Sequence, residues 1–190
     1  MVNIVTIGPI KFLVDVGFSS YSPVQPIQLS EIAAAEISNG KQELLVKLQQ
    51  EYIPDNTHRF NAEQLLWVYK MKSTNEPDES WTPGYCFSEV EFLPSDFELM
   101  NFYLCQSPTS WFRWHVVALY FLYEGLDFEN VVGTRTIMND ELKERRYGVS
   151  RVMEKLNNDT ERVQALREYL GIELTDVQKR SILGTVSQLR

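Results

Sequence analysis

The chain is short of the residues from which simple site chemistry is usually built. Its 190 residues include two cysteines, Cys86 and Cys105, and two histidines, His58 and His115. Two cysteines support neither a disulfide framework nor a four-cysteine zinc site. With so few histidines, no metal is expected. Positive charge is also scarce: 18 Lys and Arg against 26 Asp and Glu give a formal net charge of -8. No basic face is available to neutralise phosphates, which argues against a dedicated nucleic-acid binder. No apolar run reaches the length of a membrane span. Met1-Val2-Asn3 lacks the basic start of a secretory leader, and Gly8-Pro9 and Asp15 interrupt the apolar stretch that follows. The expectation is a soluble cytoplasmic protein with no membrane or nucleic-acid partner.

Apolar residues make up 44% of the chain and aromatics 12%, enough to bury a core, so disorder is not expected. The length suits one domain or two small lobes. Residues 2–7 alternate apolar and polar like a half-buried strand, Gly8-Pro9 is a turn, and Lys11 to Val16 returns as a second strand. Residues 17–30 read as loop. Residues 31–50 are ambiguous: Glu31 to Ile37 leans to helix, while Leu44 to Leu48 alternates. Leu65 to Met71 and Tyr85 to Leu93 read as strands. Ser95 with Glu98 is expected to open a helix as a capping box, with Phe97, Met100 and Leu104 on its apolar face. Trp111 to Tyr123 reads as one long strand and Asn130 to Ile137 as its return. Asn139 to Lys155 is expected to be charged and partly helical. Thr160 to Leu170 is a helix ending at Gly171. Thr175 with Gln178 opens a last helix with Ile182, Leu183, Val186 and Leu189 as its buried stripe. The class is α+β.

The informative segment is Val14-Asp15-Val16-Gly17-Phe18. A carboxylate at the end of an apolar strand is costly to bury without partners. On the residues alone two readings stand: an Asp capping the next loop, or an acid that orients a histidine in a Ser- or Cys-based triad. Ser107-Pro108-Thr109-Ser110 likewise reads either as a helix-stopping turn or as a source of hydroxyls and N–H groups for a phosphate or an amide. Cys86 and Cys105 are expected to pack in the core or at its rim, His115 to be structural, and His58 to lie in a solvated loop.

A resemblance bears on these alternatives. Leu13-Val14-Asp15-Val16-Gly17-Phe18, with Pro23, Pro26 and Leu29 after it, resembles the Asp motif of arylamine N-acetyltransferases. Four further stretches are similar in the same order: Trp67 with Tyr69; Glu91, Leu93-Pro94, Asp96-Phe97, Met100-Asn101 and Tyr103; Ser107-Pro108-Thr109-Ser110 with Phe112; and Leu166, Tyr169-Leu170-Gly171-Ile172 and Leu174. The family implies a cysteine-proteinase-like fold of helical bundle, antiparallel β-barrel and α/β lid. It implies acetyl or short-acyl transfer from acetyl-CoA to an arylamine or hydrazine by a ping-pong Cys-His-Asp mechanism, as in xenobiotic metabolism. It makes Asp15 the triad acid. Gly17 and Phe18 would shape the acceptor pocket, although Ser19 stands where the family usually has Gly. Ser20 and Ser22 fall where that pocket varies, and Tyr103, Thr109 and Ser110 match positions that contact coenzyme A.

The sequence contains no Arg-Gly-Gly-x-Cys segment, and the position of the family's His, counted back from Asp15, falls just before Met1. The expectation is therefore the C-terminal portion of such an enzyme, inactive alone. Residues 1–93 would be an incomplete β-barrel, 94–106 an interdomain helix and 107–190 the lid. The alternative is a non-catalytic module that binds coenzyme A or a partner.

Overall fold

The computed structural model describes residues 2–18, 21–30, 37–38, 44–58, 61–74, 76–77, 80–125 and 130–189. The expected helix over Glu31 to Ile37 falls almost wholly outside them. The chain forms two compact units, Met1–Val90 with Glu124–Val131 and Glu91–Tyr123 with Val132–Arg190. Among the described residues no helix is long and apolar enough to cross a membrane.

The first unit begins with the expected hairpin, β1 (Asn3–Ile7) and β2 (Ile10–Val14), turning at Gly8, whose φ is +59°. β2 also pairs with the short β3 (Ile27–Gln28). A second antiparallel sheet runs in the order β4 (Ile37–Ser38), β5 (Leu44–Glu51), β6 (Leu66–Ser73), β7 (Thr82–Phe87). Among the described residues these strands form two separate sheets and not a closed barrel. Val46 and Leu48 on β5 and Trp67 and Tyr69 on β6 meet Leu13, Ile27 and Phe87 in one core. Each such side chain contributes about 1.5–3 kcal/mol by leaving water.

Two expectations for β7 need correction. The strand ends at Phe87 and does not run on to Leu93. Beyond it the Glu89 carboxylate accepts from Trp67 Nε1 at 2.9 Å and pairs with Lys11, which holds the chain in a bend. These two bonds, the Lys11 one first, hold the Glu89 carboxyl below its usual range. The inward phase is also the opposite one. Trp67 faces Phe87 and Tyr69 faces Tyr85, so Cys86, opposite Val68, is exposed and not part of the core.

The second unit opens with α1 (Pro94–Gln106). Its N-cap is Leu93, not Ser95. Pro94 takes the first helical position, and Asp96, not Glu98, reaches back to accept from the Leu93 N–H at 2.8 Å. Trp111 to Tyr123 is not one strand: a single helical turn, α2 (Trp111–Trp114), precedes β8 (Val117–Glu124). β9 (Asn130–Met138) follows as expected, but Asn139 to Lys155 is a strand hairpin and not helical, β10 (Glu141–Arg146) with β11 (Val149–Lys155). The turn is Tyr147-Gly148, both at positive φ, the two-residue geometry that matches strand twist. The sheet order is β11-β10-β9-β8. Buried Glu144 on β10 sits between Arg135 on β9 (2.9 Å) and Arg151 on β11 (2.8 Å). The Arg135 bond, ahead of that from Arg151, keeps its carboxyl below the usual range.

α3 (Asp159–Leu170) is capped by Asn158 and stopped by Gly171 at φ +70°, and its Ala165, Leu166 and Leu170 pack with Ile137, Leu142 and Leu156. Thr175 and Gln178 form the expected capping box of α4 (Asp176–Arg180). That helix lasts only five residues. Turns follow it, leaving Leu183 and Val186 exposed, so the expected buried stripe does not form.

Gly133 on β9 tests the register of this sheet. A Cβ there would lie 2.0 Å from the Arg145 carbonyl oxygen on β10. Gly133→Ala is expected to cost at least about 3 kcal/mol, read as a large drop in melting temperature. A wild-type melting curve would show that β9 and β10 do not pair in this register.

Candidate active site

The inward phase of β2 carries past its end. Leu13 is fully buried, Asp15 is 4% exposed, and Val16 between Asp15 and Gly17 is 90% exposed. The alternation of an extended chain thus delivers a carboxylate to the core side of the first unit. There it receives two hydrogen bonds: the Gly17 N–H donates to Oδ1 at 2.8 Å and the Tyr85 hydroxyl to Oδ2 at 2.7 Å. Both donors are neutral. This differs from Glu144, which is buried between two guanidinium groups. Two donors fill only part of a carboxylate's acceptor capacity among the described residues.

Tyr85 is held by its neighbours. It stacks on Tyr69, its cross-strand partner, with centroids 4.9 Å apart and planes 7° from parallel. Tyr69 is fully buried and donates to the Tyr21 carbonyl at 2.7 Å. The Phe18 ring stands edge-on to Tyr85 at 4.9 Å and to Tyr69 at 6.0 Å. Its backbone is fixed by buried Ser22, whose Oγ accepts from the Phe18 N–H at 2.7 Å. The pairing of β6 with β7 skips Gly84, so the strand bulges there. Phe18 lies over the bulge: a Cβ on Gly84 would come within 2.9 Å of its ring.

Burial pushes the Tyr85 hydroxyl well above the usual tyrosine range, and the Asp15 carboxylate pushes it further. Burial, then Asp15, does the same to Tyr69. Both are thus held in the protonated, donating form at neutral pH.

Asp15, Gly17, Phe18 and Ser22 lie together in the first unit, while Ser20 lies outside the described residues. Tyr85, Tyr69 and Tyr21 were missed. The available signal was the strand reading of Tyr85 onward beside Trp67 and Tyr69, which brings two phenols to one face once the register is known.

Tyr103, Thr109 and Ser110 form a second set, in the other unit. Tyr103 lies on α1, and its hydroxyl is 3.4 Å from Thr109 Oγ1, which is 2.9 Å from Ser107 Oγ. The Thr109 bond, then that of Ser107, holds the Tyr103 hydroxyl below the usual tyrosine range. Ser110 is 6% exposed, and its Oγ has no hydrogen-bond partner among the described residues. An apolar groove of about 860 Å³ runs beside this loop, lined by Leu99, Phe102, Tyr103, Leu104 and Ser107 among others.

The remaining nucleophile candidates stand apart. Cys105, expected to be packed, is exposed on α1, its Sγ 3.7 Å from Asn101 Oδ1. His58 is in an exposed loop, as expected. His115 Nδ1 meets Asn139 Nδ2 at 2.8 Å.

Comparison with known proteins gives the family. The chain belongs to the N-acetyltransferase family, whose sequence profile matches residues 1–179. Its relatives are N-acyltransferases. It is 30% identical over 187 residues to an N-malonyltransferase of Fusarium pseudograminearum, covering 96% of this chain and 53% of that protein. The chain thus spans about half the length of the curated relatives it matches. Its fold is that of the arylamine N-acetyltransferase from Salmonella typhimurium, at a TM-score of 0.70 and 18% identity, covering 95% of this chain and 59% of that one. The Mycobacterium marinum arylamine N-acetyltransferase in complex with CoA also matches, at a TM-score of 0.65 and 19% identity, over 97% of this chain and 56% of that one. The α+β class of the described residues is that of these enzymes.

The two tyrosines give the cluster a pH signature. Their folded-state pKa values are raised, so their contribution to stability is complete below the ordinary tyrosine value of 10.0 and is lost as pH climbs past it. In an alkaline titration of phenolate absorbance, two of the nine tyrosines are expected to ionise only as the protein unfolds. Tyr85→Phe should remove one of these and lower stability by about 2 kcal/mol, the range for a hydrogen bond to a charged group. Nine tyrosines titrating together in the folded protein would contradict this account.

Proposed function

We propose that this chain supplies the acid and the coenzyme loop of an acyl-CoA-dependent N-acyltransferase. The carrying observation is Asp15, a buried carboxylate oriented by two neutral donors and balanced by no cation among them. Such an acid is suited to accept the N–H of an imidazole, fix its tautomer and stabilise it once protonated. That imidazole would take the proton of a cysteine, and the thiolate would attack the thioester carbonyl of the acyl-CoA. Coenzyme A would leave as the thiol, carrying a proton from the imidazolium. An amine would then attack the acyl-enzyme and regenerate the cysteine. We place the cysteine and histidine in the part of such a protein that this chain does not span, because the two described groups that bond Asp15 are the Gly17 N–H and the Tyr85 hydroxyl, and neither partner is a histidine or a cysteine.

Phe18, beside Tyr21, Tyr69 and Tyr85, is the natural wall for an aromatic amine, because stacked and edge-on rings favour each other. Gly17 and Ser22 set its backbone. Tyr103, Thr109 and Ser110 are the coenzyme contacts in this reading. The unpartnered Ser110 Oγ supports it, since a buried hydroxyl calls for a partner. The N-malonyltransferase relative makes malonyl-CoA a candidate donor alongside acetyl-CoA. Two exposed free thiols suit a reducing, cytoplasmic setting.

The test is a hybrid in which this chain replaces the corresponding half of the Fusarium N-malonyltransferase, assayed with acetyl-CoA, malonyl-CoA and an aromatic amine. Turnover is expected, and Asp15→Asn should lower it about 10⁴-fold by presenting the wrong tautomer partner. A folded Asp15→Asn hybrid as active as its parent sinks the assignment. The chain by itself should show no turnover with either donor, and robust transfer by it would place the nucleophile among its own residues.

A further inference from the structure

α2 is one turn of helix, too short to hold itself. Yet it holds the loop before it. The Arg113 guanidinium donates to the Gln106 carbonyl at 2.8 Å and the Trp114 indole to the Pro108 carbonyl at 2.8 Å, so α2 side chains clamp both sides of Ser107-Pro108. Ser110 is the N-cap of α2 and its N–H donates to the Ser107 carbonyl at 3.0 Å. What fixes α2 therefore fixes this loop.

Two attachments fix it, far apart in sequence. Near its end, the Ser187 hydroxyl donates to the Arg113 carbonyl at 2.9 Å. Just beyond it, the Asn139 side chain accepts from the Val116 N–H at 3.1 Å and meets His115 Nδ1 at 2.8 Å, while the Asn139 N–H donates to the Val116 carbonyl at 2.9 Å. One buried cation joins these attachments. Arg162 on α3, 3% exposed, donates through one terminal nitrogen to the Asn139 carbonyl at 3.3 Å and through the other to the Ser187 carbonyl at 3.0 Å. Asp159 on the same helix pairs with it. A planar, always-charged guanidinium sets the spacing of its acceptors as a single rigid group.

We infer that Arg162 is a positioning residue for the coenzyme loop, acting through Ser187 and Asn139 on the segment 107–116. The inference rests on reading Ser107 to Ser110 as that loop. In this arrangement α3 does more than fill the core of its unit, because it places the donors that would meet the coenzyme.

Removing Arg162 itself leaves Asp159 buried without its partner and can unfold the unit. The decisive variants are milder. Ser187→Ala deletes one attachment. Asn139→Gly removes the two side-chain bonds of the other, leaving the backbone bond to Val116, the carbonyl that Arg162 binds and a backbone φ of +56° that glycine adopts freely. Three quantities are read on the full chain: melting temperature, amide hydrogen exchange residue by residue, and coenzyme A affinity by calorimetry. The double variant is expected to keep the wild-type melting temperature within a few degrees. Exchange should speed up at Ser110 and Arg113 but not in α3 or β10, and coenzyme A should bind about tenfold more weakly, the scale of one or two lost hydrogen bonds. Ser187→Thr, which keeps the hydroxyl, should restore its arm. A folded double variant with unchanged exchange at Ser110 and Arg113, or with unchanged affinity, overturns the inference. If the wild-type chain itself does not bind coenzyme A, the coenzyme reading of the loop falls. That result is separable, because it appears before any variant is made.

Discussion

Much of the described part of the first unit is organised around one buried carboxylate whose two described donors are both uncharged. Asp15 sits in the core because β2 carries its alternation one step too far for a neutral strand. The cost of that burial is met by two hydrogen bonds, and each makes demands elsewhere. The Gly17 N–H reaches Oδ1 only if the chain turns at once after Val16. The Tyr85 hydroxyl reaches Oδ2 only if β7 pairs with β6 so that Tyr85 lies opposite Tyr69. That pairing skips Gly84, and the bulge leaves the space that Phe18 occupies. One acid thus constrains a turn, a strand register and a ring stack.

The second unit treats its own buried acid differently. Glu144 lies across the sheet between Arg135 and Arg151, a row that holds three strands together and pairs the carboxylate on both sides. There the carboxylate itself is neutralised, although the row keeps a net positive charge, and a structural acid is best paired in this way since an unbalanced one is costly in low dielectric. Asp15 lacks that neutralisation among its described donors, and this contrast with Glu144, more than burial, is what the proposed catalytic role draws on.

The sequence was legible where local chemistry and tertiary packing agree. The β1–β2 hairpin, the helix ended by Gly171 and the Thr175 capping box follow from turn and cap residues that act within a few positions. Asp15 was legible because an acid in an apolar strand end is conspicuous. β10 was not: Glu-Leu-Lys-Glu-Arg-Arg looks like a surface helix, and only the ion row explains why its buried face carries a glutamate. The turn at Trp111–Trp114 was hidden for the opposite reason, since aromatic and β-branched residues favour strand and outside attachments make the helical turn. Tyr85 was missed by one residue of phase, which in a strand moves a side chain from core to solvent.

The two cysteines, unhelpful as nucleophiles, have an unplanned use. Cys86 is exposed in one compact unit and Cys105 is exposed in the other, and the chain has no further thiol. Maleimide chemistry would therefore install a pair of spin labels or fluorophores, one per unit, on the unaltered sequence. The distance distribution between the two probes, recorded with and without coenzyme A, would serve as a ruler for the arrangement of the halves in solution.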